Sequence, residues 1–373
     1  MKQRIDDIEI LRGVSILLVL VQHVPYHLFS WMPYALSVKT HGYWVGVDIF
    51  LAVSGFVIAR QLLPRLDRAR GNAALATEVL AFWTRRAWRL WPAAWLWLAI
   101  TLAGVLAFNR SGVFGSVHAN LDATMAGIFQ FANWRLFSTF MVSEYGASLH
   151  YWSLSLEEQF YLALPLLALL TGRRLWLALV AITLFQFAQN NLGSVFRFEG
   201  LAIGVLVAQA MRWNGIERLN PRFLARPSVR YPLFAGVVGA LVLLGGIGRP
   251  WIAYPQPVIT LLCGLLVFCA AFDKNYFRFP AWVQGCMLWA GSRSYAIYLA
   301  HLPIFGVTRE LFFRFGITQP NSSNAIAMSL TASALLFSAV ELTYRRVETP
   351  LRAHGARIAA SLRTRTALPS GTA

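Results

Sequence analysis

Two ionisable residues near the start of the chain have a spacing that could support chemistry inside a helix. Arg12 and His23 lie eleven positions apart in the apolar segment ILRGVSILLVLVQHV. Eleven helical steps end about 20° past three full turns, so both side chains lie on one face, about 16 Å apart along the axis. This suits a guanidinium that holds an anionic group and an imidazole that acts as a general base. It fits equally well a snorkelling arginine and a histidine bonded to a neighbouring helix.

A carboxylate in the next apolar run could act on that histidine. Asp48 lies in GVDIFLAVSGF, residues 46–56, in the outer part of the run. It could orient His23 or stabilise its charge, as the carboxylate of a catalytic triad does. Ser54 and Gly55 in the same segment are better explained by close packing between helices. Packing explains Asp48 less well, and we therefore predict His23 and Asp48 as catalytic residues.

Three arginines at helical spacing precede a proline in FWTRRAWRLWP, residues 82–92. Arg85 and Arg89 are four residues apart and Arg86 and Arg89 are three apart, so they cluster on a helix. A guanidinium binds a phosphate through two N–H groups at once, and coenzyme A carries phosphates. We predict that Arg12, Arg85, Arg86 and Arg89 bind this cofactor. The alternative is ordinary anchoring of a cytoplasmic helix end by positive charge.

Two adjacent carboxylates lie in HYWSLSLEEQFY, residues 150–161. Ser155 and Glu158 fit a capping box, which predicts a helix start at Ser155. This leaves Glu157 without a structural explanation. We expect this helix start on the outer side, with Glu157 assisting proton transfer and Glu158 binding an acceptor hydroxyl.

A weaker cluster follows in SRSYAIYLAHLPIF, residues 292–305, where Ser294, Tyr298 and His301 share one helical face. A buried hydrogen-bonded network explains this face as well as a substrate-binding wall does. We count Tyr298 and His301 as candidate substrate-binding residues. The three cysteines, Cys263, Cys269 and Cys286, form no CxxC pair. The sequence therefore predicts neither a metal site nor a disulfide framework.

The elements that must position these residues are membrane helices. Hydrophobic residues make up 57% of the chain, charged residues only 13%, and the mean hydropathy is +0.54. Soluble chains are less apolar and about twice as charged. The composition predicts an all-α polytopic bundle in a lipid bilayer. Ten apolar runs have about the length needed to span: 11–29, 44–63, 92–108, 155–171, 174–191, 196–211, 231–248, 256–272, 286–313 and 323–345.

Positive charge sets the expected orientation. With both termini in the cytoplasm, 26 of the 33 Lys and Arg residues lie on the cytoplasmic side. This requires that segment 122–141, which is apolar but carries Asp122 and Arg135, enters the membrane without crossing it. The net charge of +17 also fits attraction to an anionic partner such as a phosphorylated donor. Nucleic acid is a poor partner, because the basic residues lie between apolar spans.

We predict one transmembrane domain over residues 1–352 and a short, basic, disordered cytoplasmic tail over 353–373. The polar start of the chain, residues 1–9, does not resemble a cleavable signal peptide. The first apolar run is therefore read as a transmembrane helix.

Taken in order, these motifs resemble the membrane acyltransferase-3 family. Arg12 and His23 resemble its RxxxxxxxxxxH pair, GVDIFLAVSGF its second motif, and RRAWRLWP its RxxR stretch. WSLSLEEQFY is very similar to the family's WSLSxEEQFY. SYAIYLAH and the closing VETP, which ends at Pro350, are similar as well. The resemblance spans residues 5 to about 352 and rests on six motifs in sequence.

The resemblance implies a ten-helix fold, a cytoplasmic acyl-CoA donor, by default acetyl-CoA, and an acceptor reached from the opposite side. It implies that His23 is the catalytic base. The family's donor-binding arginines correspond to Arg12, Arg86 and Arg89, and its carboxylates to Glu157 and Glu158. Some members append an SGNH-type hydrolase domain, for which we find no room in 373 residues.

We therefore predict a multi-pass O-acyltransferase of a bacterial inner membrane that acts on a hydroxyl of a glycan, lipid or small molecule. The sequence is also compatible with a homo-oligomer. The alternative is a transporter or flippase, since polar clusters in helical bundles also mark transport pathways. No paired broken helices in corresponding halves support that alternative. An inactive relative that only binds or senses a ligand is a third interpretation, against which the intact Arg12, His23 and Glu157 argue.

Overall fold

The computed structural model describes residues 5–29, 41–71, 74–140, 142–188, 195–246, 255–318 and 321–367. This part of the chain is helical and contains no β-strand. Its α-helices are α1 Asp6–His23, α2 Val45–Ala69, α3 Ala74–Ala107, α4 Val117–Ile128, α5 Ala132–Thr139, α6 Tyr151–Thr171, α7 Leu175–Ala188, α8 Phe198–Ala210, α9 Pro227–Gly246, α10 Gln256–Ala271, α11 Ala281–Ser292, α12 Ser294–Arg314, α13 Ala325–Thr343 and α14 Thr349–Ala367. Short π-helical turns cover Val24–Leu28 and Tyr344–Glu348, and 3-10 turns cover Gly172–Arg174, Ile216–Leu219, Arg222–Ala225 and Ser322–Asn324.

Over the described residues each predicted apolar run falls on a helix, while the ends of two runs, 189–191 and 247–248, lie outside the described residues. The run 286–313 is divided between α11 and α12, which meet at Arg293. By length and composition, six stretches of the described chain could cross a bilayer: Asp6–Leu28, Val45–Ala69, Ala74–Ala107, Tyr151–Ala188, Pro227–Gly246 and Ser322–Thr364. Helices α8 and α10 are apolar but shorter. The structure thus supports a multi-pass helical membrane protein, while the count of ten spans and the orientation stay predictions.

The described part of segment 122–141, through residue 140, falls on two short helices, α4 and α5, of 12 and 8 residues. Neither alone has the roughly 20 residues needed to cross a bilayer. A pair of hydrogen bonds holds the segment against α6: Asn133 Nδ2 donates to Gln159 Oε1 at 3.1 Å, and Gln159 Nε2 donates to the Gln130 carbonyl at 2.8 Å.

The predicted capping box at Ser155 is wrong. Helix α6 begins four residues earlier, at Tyr151, so Ser155 lies inside the helix. Its hydroxyl accepts a hydrogen bond from the Ala132 backbone N–H at 3.2 Å, which joins α6 to the start of α5. The serine therefore serves a contact between helices and not a helix end.

The prediction of a disordered tail is wrong through residue 367, because α14 continues from the π-helical turn after α13. It packs along α3. A side chain at Gly355 would collide with the Trp88 ring, and Arg363 Nε lies 2.7 Å from Glu78 Oε1. The basic segment through residue 367 is therefore helical and packs against α3. Residues beyond 367 lie outside the described range.

Helix α2 is the centre of the bundle, and close backbone contacts fix it against α8. A Cβ atom at Gly204 would collide with the carbonyl oxygen of Ala52, and one at Gly55 with that of Leu201. Small residues allow helices to approach this closely in membranes. The start of α1 is fixed by Asp7, whose carboxylate accepts the backbone N–H groups of Tyr276 at 2.8 Å and Phe277 at 3.1 Å.

Candidate functional site

A cavity lies between α1, α2, α3, α6 and α12, and polar side chains from each of these helices line it. Six of the residues predicted from the sequence are among them: Arg12, Arg86, Arg89, Glu157, Glu158 and Tyr298. Residues separated by almost 290 positions in the chain thus contribute to one space.

The cationic part of the cavity consists of Arg12 from α1 and Arg86 and Arg89 from α3. Arg86 is only 8% exposed. Its guanidinium carbon lies 5.5 Å from the centre of the Tyr161 ring and 5.7 Å from that of Phe82. Aromatic rings at this distance stabilise a buried cation. Three guanidinium groups held together form a strong site for an anion.

The carboxylates share this cavity with the arginines. Glu157 Oε2 accepts a hydrogen bond from Ser54 Oγ at 2.9 Å and another from the Tyr161 hydroxyl. The Tyr161 hydroxyl also contacts Ser54 Oγ. Glu158 Oε2 accepts from Trp91 Nε1 at 3.1 Å. Both carboxylates are therefore held by neighbouring helices beside the cationic groups.

Tyr298 connects the cavity with a group of histidines. It lines the cavity, and its hydroxyl donates to the His150 carbonyl at 2.9 Å and lies 2.7 Å from Ser153 Oγ. Its own carbonyl oxygen lies 2.7 Å from His301 Nδ1. The same residue thus borders the cavity and orients the nearest imidazole.

His23, His27, His150 and His301 form this histidine group. His23 Nδ1 lies 3.1 Å from His301 Nε2. The ring centres of His23 and His27 are 5.6 Å apart, and those of His150 and His301 are 5.1 Å apart. His23 ends α1 immediately before its π-helical turn, a deviation often found at functional sites. Within the described ranges, no three His, Cys, Asp or Glu side chains converge as they would to hold a metal ion.

The expected pairing of Asp48 with His23 is not found. Asp48 is 1% exposed; Arg197 NH1 donates to one carboxylate oxygen at 3.0 Å and Gln256 Nε2 to the other at 2.9 Å. Gln256 Nε2 also donates to Glu199 Oε1 at 3.0 Å. A buried carboxylate requires a counter-charge, which a cation supplies and a neutral imidazole does not. Asp48 therefore links α2 to α8 and α10.

Arg85 does not line the cavity with Arg12, Arg86 and Arg89. It lies near Arg65, Arg363 and Glu78. Consecutive residues of a helix point about 100° apart, so Arg85 and Arg86 point to different sides of α3, and Arg89 lies between them in angle. The RRAWR segment supplies two separate groups of arginines.

The sequence analysis missed several polar residues of this region. Ser54, interpreted as a packing residue, bonds to Glu157, and Tyr161 was given no role. His150 was quoted only as part of a motif, and its buried ring lies beside His301. Glu348 of VETP lies within electrostatic range of Arg89. The sequence signal that could have found them was a hydroxyl, imidazole or carboxylate inside a membrane segment. Such a group raises the free energy of the fold unless it has a polar partner.

Comparison with known proteins adds to this geometry. The chain is 26% identical over 388 residues to the peptidoglycan O-acetyltransferase OatA of Listeria monocytogenes, an alignment that covers 95% of this chain and 57% of the relative. It is 25% identical to the O-acetyltransferase OatA of Staphylococcus aureus, with 84% of this chain and 53% of the relative covered. The putative peptidoglycan O-acetyltransferase YrhL of Bacillus subtilis is also 25% identical, at 95% and 56% coverage.

The chain thus spans about half the length of the curated relatives it matches. No solved structure gives a significant match. The sequence model of the acyltransferase domain, in contrast, matches residues 5–341, which include every predicted site residue. The chain therefore belongs to the acyltransferase domain family.

Proposed function

We propose that the protein is a membrane O-acetyltransferase that moves an acetyl group from cytoplasmic acetyl-CoA to a hydroxyl of a cell-envelope glycan. The observation that carries the proposal is the arrangement around α1. This helix contributes Arg12 to the cavity of arginines, and its last residue, His23, bonds to His301 in the histidine group. One helix thus links a site for an anionic donor with a candidate base.

The cavity suits the phosphates of coenzyme A. Arg12, Arg86 and Arg89 supply three guanidinium groups, and Arg binds phosphate oxygens in pairs. The carboxylates of Glu157 and Glu158 offset part of the positive charge of the three arginines when no donor is bound. The acyl arm of the donor would extend from the arginines past Tyr298 toward His23.

The hydrogen-bond distances support one assignment of the proton positions on the two bonded histidines. His301 Nδ1 faces the Tyr298 carbonyl, which only accepts, so Nδ1 carries the proton. Neutral His301 then accepts at Nε2, and the bond to His23 requires a proton on His23 Nδ1. His23 Nε2 is left with a lone pair. This is the tautomer that a general base requires.

The proposed reaction follows from these positions. His23 Nε2 takes the proton of the acceptor hydroxyl as the hydroxyl oxygen attacks the thioester carbonyl carbon. The tetrahedral intermediate collapses, the carbon–sulfur bond breaks, and coenzyme A leaves as the thiolate. The proton on His23 passes to the thiolate or to solvent, which restores the neutral imidazole. An acyl-enzyme route, with the acetyl group first transferred to a side chain, uses the same donor site.

The choice of a glycan acceptor rests on the names of the relatives, two of which are described as peptidoglycan O-acetyltransferases. Residues 5–341 contain the matched domain. We propose ten membrane spans with both termini in the cytoplasm of a bacterium, so that the donor and the glycan approach from opposite sides of its inner membrane.

The first test measures release of free thiol from acetyl-CoA by the purified protein in nanodiscs, with and without a glycan acceptor. We expect release that is lost in His23→Ala and kept in the control His118→Ala, whose imidazole is highly exposed on α4. Thiol release by His23→Ala at the wild-type rate would overturn the assignment of the base. Glycan movement across vesicles without any thiol release would support the transporter alternative.

A further inference from the structure

A second group of arginines lies outside the cavity, between α2, α3 and α14. It consists of Arg65 from α2, Arg85 from α3 and Arg363 from α14, with the carboxylate of Glu78, and we call it the arginine cluster. Arg65 and Arg85 each lie within electrostatic range of both Arg363 and Glu78. Three cations and one carboxylate give the cluster a net charge of +2.

The carboxylate of the cluster is already engaged. Arg363 Nε lies 2.7 Å from Glu78 Oε1, and Arg363 NH2 donates to Glu78 Oε2 at 2.7 Å. This ion pair, with one hydrogen bond from Arg363 NH2, holds α14 against α3. Glu78 therefore leaves Arg65 and Arg85 without a closely bonded counter-ion.

The other two arginines are partly exposed, and each has a buried donor atom that is unused. The NH1 atoms of Arg65 and Arg85 are both buried, and neither has a hydrogen-bond partner among the described residues. A buried, unpaired N–H of a charged group is costly, and two such groups side by side also repel each other. An anion bound between them would satisfy the donors and offset the charge.

The cluster is distinct from the donor cavity. Neither Arg65, Arg85 nor Arg363 lines that cavity, yet Arg85 directly precedes Arg86, which does. Arg85 and Arg86 are thus adjacent on α3 but point about 100° apart. A ligand with two separated anionic groups could reach both.

We propose that the arginine cluster is a second phosphate-binding site. The proposal rests on acetyl-CoA as the donor, which carries a diphosphate and, separately, a ribose 3′-phosphate. The diphosphate binds Arg12, Arg86 and Arg89, and the 3′-phosphate binds Arg65, Arg85 and Arg363. On the predicted topology the cluster lies at the cytoplasmic membrane surface, so the phosphate of an anionic lipid headgroup is the other source of the same group.

The test compares the binding of coenzyme A and 3′-dephospho-coenzyme A by calorimetry, with the full chain in phosphatidylcholine nanodiscs. The wild type should bind coenzyme A about tenfold or more tightly than the dephospho form, since charged hydrogen bonds are lost with the phosphate. This ratio should fall toward one in Arg65→Gln and Arg85→Gln. It should persist in Arg357→Gln, which removes the same charge from an exposed position of α14.

A variant that makes the arginine cluster more positive distinguishes phosphate binding from a merely structural role. Glu78→Gln removes the carboxylate and raises the net charge of the cluster to +3, so it should tighten coenzyme A binding severalfold. A cluster that only holds helices together predicts the reverse. Unchanged or weaker binding by folded Glu78→Gln would count against the proposal.

The lipid arm uses the same variants in nanodiscs with added phosphatidylglycerol. In one outcome, the wild type binds coenzyme A and its 3′-dephospho form equally well yet gains thermal stability with this lipid. If Arg65→Gln and Arg85→Gln then gain no stability, the phosphate comes from the membrane. If neither the 3′-phosphate nor the lipid distinguishes the wild type from these variants, the second site does not exist. Failure of the wild type to bind coenzyme A at all would instead overturn the donor assignment, and the lipid arm would still test the cluster.

Discussion

At the scale of single residues, the carbonyl oxygen of Tyr298 acts on two histidines. On the proposed proton positions, it accepts from His301 Nδ1 and sets the tautomer of that ring, and the ring in turn sets the tautomer of His23. His301 was predicted as a substrate-binding residue. Its contacts suit a positioning role toward His23 better, which gives it a different kinetic signature.

Replacing His301 by Ala should lower kcat about 100-fold, because His23 loses the acceptor that holds its proton on Nδ1. The KM for acetyl-CoA should change little. His301→Gln, whose side-chain oxygen can accept the same hydrogen bond, should recover much of the rate. Thiol release at varied acetyl-CoA concentrations measures all three enzymes. An Ala variant that changes only KM would instead support a substrate contact.

Replacing Arg86 by Lys keeps the charge beside Glu157 and Glu158 but removes the planar pair of N–H donors. We expect the KM for acetyl-CoA to rise about tenfold, with kcat less affected, because one charged hydrogen bond to phosphate is lost. The same thiol assay measures this. Wild-type KM in a folded Arg86→Lys would show that Arg86 does not contact the donor.

At the scale of elements, apolar length was enough to locate the apolar helices, but it did not give their bounds and it missed α14. Ten apolar runs fell on helices because membrane spans must satisfy their backbone internally. Helix α3, however, has 34 residues and begins at Ala74, well before the apolar run at 92. Its polar part is stabilised by packing against α14, a contact that composition does not reveal.

The tight crossing of α2 and α8 makes a stability prediction. Gly204→Ala should lower the free energy of unfolding by about 1–3 kcal/mol, because the added Cβ collides with the rigid carbonyl of Ala52. Gly236→Ala on α9 is the matched control, since a Cβ there meets nothing within 4 Å. Thermal unfolding in one detergent compares the two. Equal effects would mean that the helices are not in close contact at Gly204.

At the scale of the whole molecule, the site depends on pairings across most of the chain. His23 and His301 are 278 residues apart, and Asp48 and Arg197 are 149 apart. Residue types and helical spacing identified most of the polar residues that the structure brings together, including Arg12, His23 and Glu157. Partners could not be predicted from them, because a buried charge selects its neighbour by three-dimensional proximity.

Variants of Asp48 test whether this residue stabilises the fold or takes part in catalysis. Asp48→Asn removes the carboxylate charge paired with buried Arg197, and we expect a loss of about 3–5 kcal/mol in stability. The double variant Asp48→Asn with Arg197→Gln should recover part of it, because no net charge then remains in this pair. Thermal unfolding measures the recovery. A fully stable Asp48→Asn without thiol release would restore Asp48 as a catalytic residue.

Helix α1 carries both Arg12 and His23, so on the proposed function it fixes the distance between donor binding and proton transfer. A rigid helix separates the guanidinium that binds the donor's phosphates from the imidazole that takes the proton. This separation cannot adapt to the ligand. Only a carrier whose flexible arm matches that length delivers its thioester to the imidazole. A shortened carrier would occupy the arginines and still be inert, so selection among thioesters in the cell would rest on reach as well as on charge.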